Sequence, residues 1–273
     1  MRDHGSVVAI RIVEDLGTRH GRTLHRGRMS RGREVFVKKG GDFTAEAAGL
    51  RWLGAAGAVA VPEVIEVGED RLVLEWIERG DATAEAAEHF GRDLARLHQA
   101  GADAFGAPWT GWIAELPLDN SAGEDWPSFY VSQRVLPFVR HARDHGRLSE
   151  SDVRLLDSVI DAVPDIAGPS EAPSRIHGDL WSGNVLWTAR GAVLVDPAAH
   201  GGHRETDLAM LALFGAPRLS RILGAYQEEA PLAHGWRERV PLHQLHPILV
   251  HVCLFGDDYR SSLLETASRV LAV

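Results

Sequence analysis

The sequence predicts an α+β fold with two lobes: a small antiparallel β-sheet lobe with one helix, followed by a larger, mainly α-helical lobe. Strand-like segments alternate with turns through residues 7–39, whereas helical spacing of apolar residues dominates from Ala82 onward. The composition changes between these regions near residue 80. We therefore place the first lobe at residues 1–79 and the second at residues 80–273, which suits a chain long enough for two coupled lobes.

The first lobe is predicted as a β-meander, one helix and one further hairpin. The strand-like segments of the meander span residues 7–12, 15–21, 23–28 and 34–39. Glycines at 40 and 41 then end the last strand, and residues 43–53 show helical spacing. Residues 62–67 and 72–77 predict the hairpin that completes the sheet.

The second lobe is predicted from three helical segments, an irregular stretch and a pair of strands. The helical segments span residues 84–97, 126–145 and 149–163, the last with Ser149 as its N-cap. The stretch between the first two is rich in Gly, Pro and Trp and exceeds the roughly 12–15 residues of ordinary loops, so we expect a substrate loop there. Two short apolar strands flank Gly191 within residues 176–196, and the remainder is predicted as helical.

The charge balance excludes one class of function. The chain holds 29 Lys and Arg residues against 38 Asp and Glu residues, a net charge of -9. Such a chain is not a general polyanion binder, so nucleic acid is not expected as a partner. The first 40 residues nevertheless hold ten basic and four acidic residues. That local surplus suits either a solvated β-ribbon or a site for a compact anion such as a nucleotide.

Cysteine content and hydropathy indicate the compartment. The single cysteine, Cys253, excludes an intrachain disulfide and fits a reducing compartment. No apolar run approaches the roughly 20 residues that span a bilayer, and the first residues lack the apolar stretch of a signal peptide. We therefore expect a cytoplasmic protein without a membrane partner.

The strands around Gly191 carry the polar residues that point most directly to chemistry. Asp179 and Asn184 precede the first strand and Asp196 ends the second, so a hairpin could bring their side chains to one end. Carboxylate and amide oxygens are the ligands that Mg²⁺ prefers. In phosphoryl transfer, one Asp orients the attacking hydroxyl while an Asn and a later Asp hold the metal on the nucleotide. Each residue alone could simply cap a turn, but the joint spacing favours a site.

A second constellation lies upstream. Glu46 shares a helical face with the apolar residues Phe43 and Leu50, where a carboxylate is costly to bury unless a cation meets it. Lys38, at the end of the third predicted strand, is the natural partner and could also contact nucleotide phosphates. The chain has two lysines against 27 arginines, so an ammonium here is a rare choice. We interpret the other lysine, Lys39, as an exposed side chain.

Four motifs stand out in the second half of the chain: His-Gly-Asp-Leu-Trp-Ser-Gly-Asn at 177–184, Asp-Pro-Ala at 196–198, Gly-His-Arg-Glu at 202–205 and Leu-Phe-Gly at 213–215. Together they resemble the fructosamine (ketosamine) kinase family, a branch of the aminoglycoside-phosphotransferase and protein-kinase-like fold. The resemblance covers nearly the whole chain. It implies a kinase that uses ATP and Mg²⁺ to phosphorylate the 3-hydroxyl of a ketosamine, a fructosamine or ribulosamine adduct on a small amine or a protein, which leads to deglycation.

The resemblance also implies roles for individual residues. Asp179 would be the catalytic base, Asn184 and Asp196 would bind the metal, and Lys38 paired with Glu46 would position the phosphates. On the nucleotide side, Gly17 would belong to the phosphate loop, and the hinge at Glu75, Trp76 and Ile77 would meet adenine. On the acceptor side, Trp181 would cover the sugar and His251 would wall the site, although a buried, satisfied histidine is the more common role for such a residue.

The chain departs from the family pattern in its phosphate loop and at two further positions. The family usually opens the loop with paired glycines, whereas this sequence offers only Gly17 and Gly21. Ala114 stands where the family often has glycine after Ile, and Asp257 follows Leu-Phe-Gly where glycine is common. Some relatives carry a cysteine in the phosphate loop that permits redox control. This loop has none, so we expect no such switch.

Three other functions stay open from the sequence. A kinase of the same fold could act on an aminoglycoside, choline or homoserine, and a non-catalytic nucleotide-binding module could share the fold. The third is a zinc hydrolase using His200, His203, Glu205 and Asp207, whose spacing differs from the helical His-Glu-x-x-His arrangement. We favour instead a role for Asp207 in capping a helix at residues 207–214 and in bonding the catalytic loop.

Overall fold

The computed structural model describes residues 9–272, and its first lobe is built on one five-stranded antiparallel sheet. The strands are β1 Ile10–Arg19, β2 Arg22–Met29, β3 Glu34–Lys39, β4 Val64–Val67 and β5 Arg71–Glu75, arranged in the order β1-β2-β3-β5-β4. Helix α1, Thr44–Gly54, follows β3 as the helical spacing predicts. Val7 and Val8 of the first predicted strand segment lie outside the described residues.

The first two predicted strand segments form a single strand, β1, which corrects the expected turn between them. The β1–β2 register shifts between Ile12 and Glu14 and again between Asp15 and Gly17. Bulges of this kind absorb extra residues without ending a strand. The turn instead falls at His20 and Gly21, whose positive φ angles of 47° and 72° match a two-residue hairpin connection.

Helix α1 covers one face of the sheet. Phe43, at the N-terminal end of the helix, and Leu50 within it pack in one apolar cluster with Leu72 and Leu74 of β5. Successive strand side chains point to opposite faces, and Lys38 lies opposite Leu72 in the β3–β5 register. The sheet therefore directs Lys38 toward α1.

The second lobe is mainly helical. Its helices are α2 Ala84–Gln99, α3 Trp126–Phe129, α4 Leu136–Asp144, α5 Glu150–Ile166, α6 Arg204–Leu213, α7 Leu219–Glu229, α8 Trp236–Phe255 and α9 Asp257–Val270. A π-helical segment, Tyr130–Val135, joins α3 to α4 within the stretch predicted as one helix. Ser149 caps α5 through a capping box with Asp152, as its position before the helical spacing predicts.

Three short two-stranded sheets complete the second lobe. They pair β6 Gly111–Ile113 with β7 Leu116–Leu118, β9 Val185–Thr188 with β10 Gly191–Leu194, and β8 Ser174–Ile176 with β11 His200–Gly202. The β9–β10 hairpin is the one predicted around Gly191. The β6–β7 hairpin lies in the stretch expected to be irregular, because three-residue strands are too short to show a period.

An apolar cluster joins the two lobes. Leu53 and Val59 from the first lobe pack in one cluster with Phe90 of α2 and Trp187 of β9. The backbone N–H of Leu194 also donates to the Ala60 carbonyl at 2.9 Å. These contacts hold α1 against the β9–β10 hairpin. The antiparallel sheet of the first part and the helices of the second confirm the predicted α+β fold. Among residues 9–272, no helix combines the length and hydropathy needed to cross a bilayer.

Candidate functional site

A cleft of about 590 Å³ lies between the lobes. Its walls come from the inner face of the sheet, the segment after β5, the β6–β7 hairpin and the loops on either side of β9–β10. Nine of the predicted site residues line it: Lys38, Glu46, Glu75, Trp76, Ile77, Asp179, Trp181, Asn184 and Asp196. Gly17 and His251 are not among the residues that line this cleft.

The ammonium of Lys38 lies at the back of the cleft between two carboxylates. Its Nζ donates to Glu46 Oε1 at 2.8 Å and also contacts Asp196 Oδ1. Lys38 is only 6% exposed, so these carboxylates replace the water that the ammonium loses. Because Asp196 belongs to the second lobe, this contact joins the two lobes through charge.

Burial and charge act against each other in this cluster. Burial raises the pKa of Glu46 to about 7, and the Lys38 ammonium opposes the shift. Desolvation disfavours the charged form of Lys38, but Glu46 and Asp196 outweigh it and raise the lysine pKa. Desolvation also opposes ionisation of Asp196, yet Lys38 holds the pKa of that carboxyl below its ordinary value. The lysine is therefore held as a cation in the cleft.

Asn184 ties the other two predicted polar residues together. Its Nδ2 donates to the Asp179 carbonyl at 2.9 Å, to Asp179 Oδ2 at 3.1 Å and, at 3.4 Å, to the Asp196 carbonyl. The three side chains thus converge as the hairpin spacing predicts. Asp196 has a φ of 53°, a left-handed conformation that is uncommon outside glycine and occurs often at functional sites.

The donor set of this cluster suits a divalent cation. The carboxylates of Asp179 and Asp196 repel each other: burial first and then Asp196 raise the pKa of Asp179 to about 7, against the Asn184 hydrogen bond. Since Nδ2 makes the hydrogen bonds of Asn184, its Oδ1 accepts none from the described residues. A hard cation prefers such oxygen ligands and would remove the repulsion, so the residues present fit Mg²⁺.

Asp207 holds the backbone that carries Asp179. The N–H groups of His177 and Gly178 donate to its two carboxylate oxygens at 2.7 and 2.9 Å. Its predicted bond to this loop is therefore present. Asp207 does not cap a helix at residues 207–214, because α6 begins earlier, at Arg204, with His203 as its N-cap.

His98 is a functional neighbour that the sequence analysis missed. Its Nε2 lies 3.2 Å from Asp207 Oδ2, and its Nδ1 lies 2.8 Å from the Tyr226 hydroxyl. His98 and Asp207 are both buried, at 1% and 0% exposure. In the sequence, His98 is recognisable only as a histidine on the apolar face of a predicted helix. Its partner Asp207 lies more than 100 residues away along the chain, so the sequence pattern does not reveal the contact.

The structure explains the first two residues of the His-Gly-Asp motif, the histidine by its hydrogen bonds and the glycine by the lack of space for a side chain. His177 Nε2 bonds the Val195 carbonyl at 2.9 Å, while its Nδ1 lies 3.3 Å from the Asp179 N–H. A Cβ at Gly178, where φ is 80°, would lie 2.3 Å from the Ala198 carbonyl oxygen. The histidine therefore fixes the loop, and glycine alone fits between its neighbours.

The hinge segment forms the opposite end of the cleft. Trp76 lies beneath the guanidinium of Arg26, 4.5 Å from the ring centroid, and its indole N–H donates to Glu78 at 3.1 Å. The adjoining wall is apolar, and includes Leu24, Phe36, Leu74, Leu186 and Val195. This end of the cleft suits a flat apolar ring.

The two predicted acceptor residues occupy different positions. Trp181 lines the cleft, is 36% exposed and packs against Phe214 at 6.3 Å between ring centroids. His251, on α8, lies behind Phe214 at 5.1 Å and against Tyr259 at 4.7 Å, and its Nδ1 donates to the Pro247 carbonyl. The structure thus places His251 behind the aromatic wall, away from the cleft lining.

The predicted phosphate loop, residues 15–21, reaches the cleft, but not through Gly17. Gly17 lies within β1, where its N–H donates to Asp15 Oδ1 at 2.9 Å, because the turn forms further along at His20 and Gly21. The cleft is lined instead by Arg19, His20 and Arg22. The excess of basic residues among the first 40 was the sequence feature that indicated positive charge in this region.

The residues proposed for a zinc hydrolase do not assemble a suitable site. His203, Glu205 and His243 have potential ligand atoms within 4.8 Å of one another. However, Arg239 donates to both carboxylate oxygens of Glu205, at 2.9 and 2.5 Å, so a cation already occupies that carboxylate. His200 bonds the Ala198 carbonyl instead.

Comparisons with known proteins agree on one family. The sequence model of the fructosamine kinase family matches residues 22–273. A protein named a ketoamine kinase, from Enterococcus faecium, is 38% identical over 239 residues, which cover 83% of this chain and 82% of that protein.

Solved structures show the same relationship. A crystal structure described as a fructosamine-3-kinase, from Thermobifida fusca, has a TM-score of 0.94 and 51% identity, covering 97% of this chain and 95% of the other. A macrolide 2′-phosphotransferase from Brachybacterium faecium, at a TM-score of 0.61 and 14% identity, covers 96% of this chain and 93% of its own. The latter similarity is one of fold.

Proposed function

The chain belongs to the fructosamine kinase family and is an ATP-dependent kinase, and we propose that it phosphorylates the 3-hydroxyl of ketosamines. The observation that carries the proposal is the convergence of Lys38, Asp179, Asn184 and Asp196 in one cleft that Trp181 borders. Phosphoryl transfer requires positioning and charge stabilisation more than covalent chemistry, and this cluster offers both.

We assign each polar residue a task in the transfer. Asp179 orients the acceptor hydroxyl and accepts its proton, while Lys38, held by Glu46, contacts the nucleotide phosphates. Asn184 and Asp196 hold Mg²⁺. When bound, the metal neutralises charge on the phosphate oxygens.

We assign the ends of the cleft to the two substrates. The backbone of residues 75–77 and the apolar wall beside Trp76 receive adenine. At the other end, Trp181 covers the sugar of the acceptor, because an apolar ring packs well against the C–H face of a sugar. His251 supports this wall through Phe214.

The proposed product accounts for deglycation without a second enzyme. With phosphate on C3 of the ketosamine, loss of a proton from C1 to solvent allows the C3–O bond to break and inorganic phosphate to leave. Water then hydrolyses the resulting imine, which releases the amine and a dicarbonyl sugar. The acceptor class is therefore an amine or a protein that carries a fructose or ribulose adduct.

The test is a transfer assay with the purified chain, MgATP, and ribulose or fructose adducts of a lysine derivative. We expect phosphorus NMR to show a phosphomonoester on the third sugar carbon, and Asp179→Ala to abolish it. An aminoglycoside, choline and homoserine belong in the same panel, because turnover of one of these without turnover of any ketosamine would assign the chain to the alternative acceptor class.

We also propose that the protein works in the reducing cytoplasm. The single cysteine, Cys253, is free and buried, and a chain without an intrachain disulfide suits a reducing compartment. Fractionation of cells that express the tagged chain should recover it in the cytoplasmic fraction, and recovery outside the cytoplasm would contradict the assignment.

A further inference from the structure

Two arginines flank the turn between β1 and β2 in an arrangement that costs energy. Arg19 and Arg22 lie directly opposite each other in the strand register, on either side of the two turn residues. Like charges directly opposite each other destabilise a strand pair. Within residues 9–272, no acidic side chain forms an ion pair with either arginine. The tip of the hairpin therefore carries a surplus of positive charge.

The surplus faces the cleft. Arg22 and Leu24 are two residues apart and share a face of the sheet, and Leu24 lies directly opposite Lys38. Arg22 is thus about 7 Å further along the strand than the register position of Lys38, toward the hairpin tip. Arg19 and Arg22 both line the cleft. An anion that reached past Lys38 toward the cleft mouth would meet both guanidinium groups.

Arg22 also touches the second lobe. Its Nη2 donates to the Ala114 carbonyl at 3.5 Å, in the turn between β6 and β7. The guanidinium lies over the ring of Phe43, 5.4 Å from the centroid, which restricts the side chain to this direction. Arg22 therefore connects the sheet side of the cleft to the β6–β7 hairpin, which lines the cleft from the second lobe.

We propose that Arg19 and Arg22 form a phosphate clamp for the terminal phosphates of the nucleotide, and that Arg22 couples phosphate binding to closure of the β6–β7 hairpin. The inference deepens the proposed function and rests on it. A guanidinium offers a planar fork of donors that matches a phosphate group. The clamp thus supplies the donors that paired glycines would otherwise provide from the backbone.

Binding measurements without acceptor test the clamp. Calorimetry compares a non-hydrolysable Mg–ATP analogue with AMP, which lacks the terminal phosphates, for the wild type, Arg22→Ala, Arg22→Lys and Arg19→Ala. We expect the analogue to bind Arg22→Ala about 10-fold more weakly than the wild type, because a charged hydrogen bond is lost. Arg22→Lys should show a smaller loss of affinity, because it keeps the charge. AMP affinity should stay unchanged. Arg31→Ala, which replaces an exposed arginine in the turn between β2 and β3, is the matched control.

Three results would overturn the clamp. The first is unchanged analogue affinity in Arg22→Ala and Arg19→Ala, and the second is an equal loss for analogue and AMP, which indicates a structural role. The third is a wild type that binds neither nucleotide. Failure of the proposed acceptor is a separate result, since it would be seen in the transfer assay while nucleotide binding remained intact.

Hydrogen exchange tests the coupling. In the wild type, the analogue should slow amide exchange in residues 111–118 and also in the hinge at residues 75–77. In Arg22→Ala, saturated with analogue, the slowing should disappear from the hairpin and persist in the hinge. Retained slowing in the hairpin would show that Arg22 does not transmit the closure.

Discussion

The two lysines of the chain allow a residue-level test of the charge cluster. Lys38 is buried against Glu46, whereas Lys39, the next residue, lies on the opposite face of β3. We expect Lys38→Met to lower kcat by about 100-fold or more, because it removes a fixed charge from the site where charge develops. Lys39→Met should leave kcat unchanged. Steady-state assays check both variants, and circular dichroism confirms that they fold; comparable losses in the two would contradict the role of Lys38.

A second residue-level prediction concerns the turn that Arg22 contacts. Ala114 has a φ of 52°, a left-handed conformation that costs a residue with a Cβ and that glycine adopts freely. We expect Ala114→Gly to raise the free energy of unfolding by about 0.5–1 kcal/mol. The substitution relieves backbone strain in the folded state, and this gain exceeds the cost of the larger entropy of glycine in the unfolded chain. Urea unfolding measures this change. Ala100→Gly, at an exposed right-handed position, is the control and should not stabilise.

At the same scale, the sequence was sufficient for some site residues and insufficient for others. Asp179, Asn184 and Asp196 are predictable because one short hairpin brings them together. Arg19 and Arg22 are not, because two bulges in β1 decide where its turn falls. His98 is likewise hidden, since its contact with Asp207 depends on the packing of two distant helices.

Among the elements, α6 acts as the anchor of the catalytic loop through one carboxylate. Asp207→Asn would place an amide nitrogen against a backbone N–H of His177 or Gly178 and leave a buried donor without an acceptor. We expect a loss of about 3 kcal/mol in the free energy of unfolding, with reduced kcat in the folded fraction. Asp157→Asn, on an exposed face of α5, is the control. Thermal denaturation that is identical for both variants would contradict the anchoring role.

The contact between α6 and α8 predicts how stability depends on pH. Burial, then His243, lower the pKa of His203 to about 3. Burial opposes ionisation of Glu205, but His243 and Arg239 lower its pKa to about 2. Both groups take up protons more readily when the chain is unfolded, so stability falls as the pH decreases. The loss begins below pH 6.5 with His203 and continues from pH 4.5 toward 2 with Glu205.

Urea unfolding at a series of pH values measures this dependence. Each such proton adds a slope of about 1.4 kcal/mol per pH unit within its window. His203→Gln should reduce the slope of the upper part of the curve by one such increment and keep the lower part, because His200 and His246 also have pKa values lowered by burial. Stability that is independent of pH between 6.5 and 4.5 in the wild type would contradict the assignment to His203.

Element length decides what the sequence could show. The long helices and the strands of the first sheet have enough residues to display a period. The three-residue strands β6, β7, β8 and β11 do not, so the hairpin that meets Arg22 stayed hidden in a stretch expected to be irregular. The π-helical segment before α4 was hidden for another reason, because it lies between two helices and was included in the one helix predicted over them.

For the whole molecule, the sequence predicts the two kinds of lobe but does not fix how they meet. The shift from strand to helical patterning indicates an α+β chain. The relative position of the lobes depends on the shared apolar cluster around Leu53 and Phe90 and on the contact between Lys38 and Asp196. Both are interactions between side chains far apart in sequence. The cleft is therefore a property of the assembled molecule.

Ligand binding across this cleft should stabilise the whole molecule in a metal-dependent way. Nucleotide at about 100 times its dissociation constant adds about 2.7 kcal/mol to the stability of a protein that binds it only when folded. If Asn184 and Asp196 hold the metal on the phosphates, as we propose, MgATP should raise the wild-type melting temperature more than ATP with a chelator does. In Asp196→Asn, which weakens that site and the contact between the lobes, the two ligands should give equal shifts, whereas Asp157→Asn should keep the difference. A magnesium-dependent shift that survives in Asp196→Asn would show that the metal binds elsewhere. The transfer reaction would then also take place at a different end of the cleft.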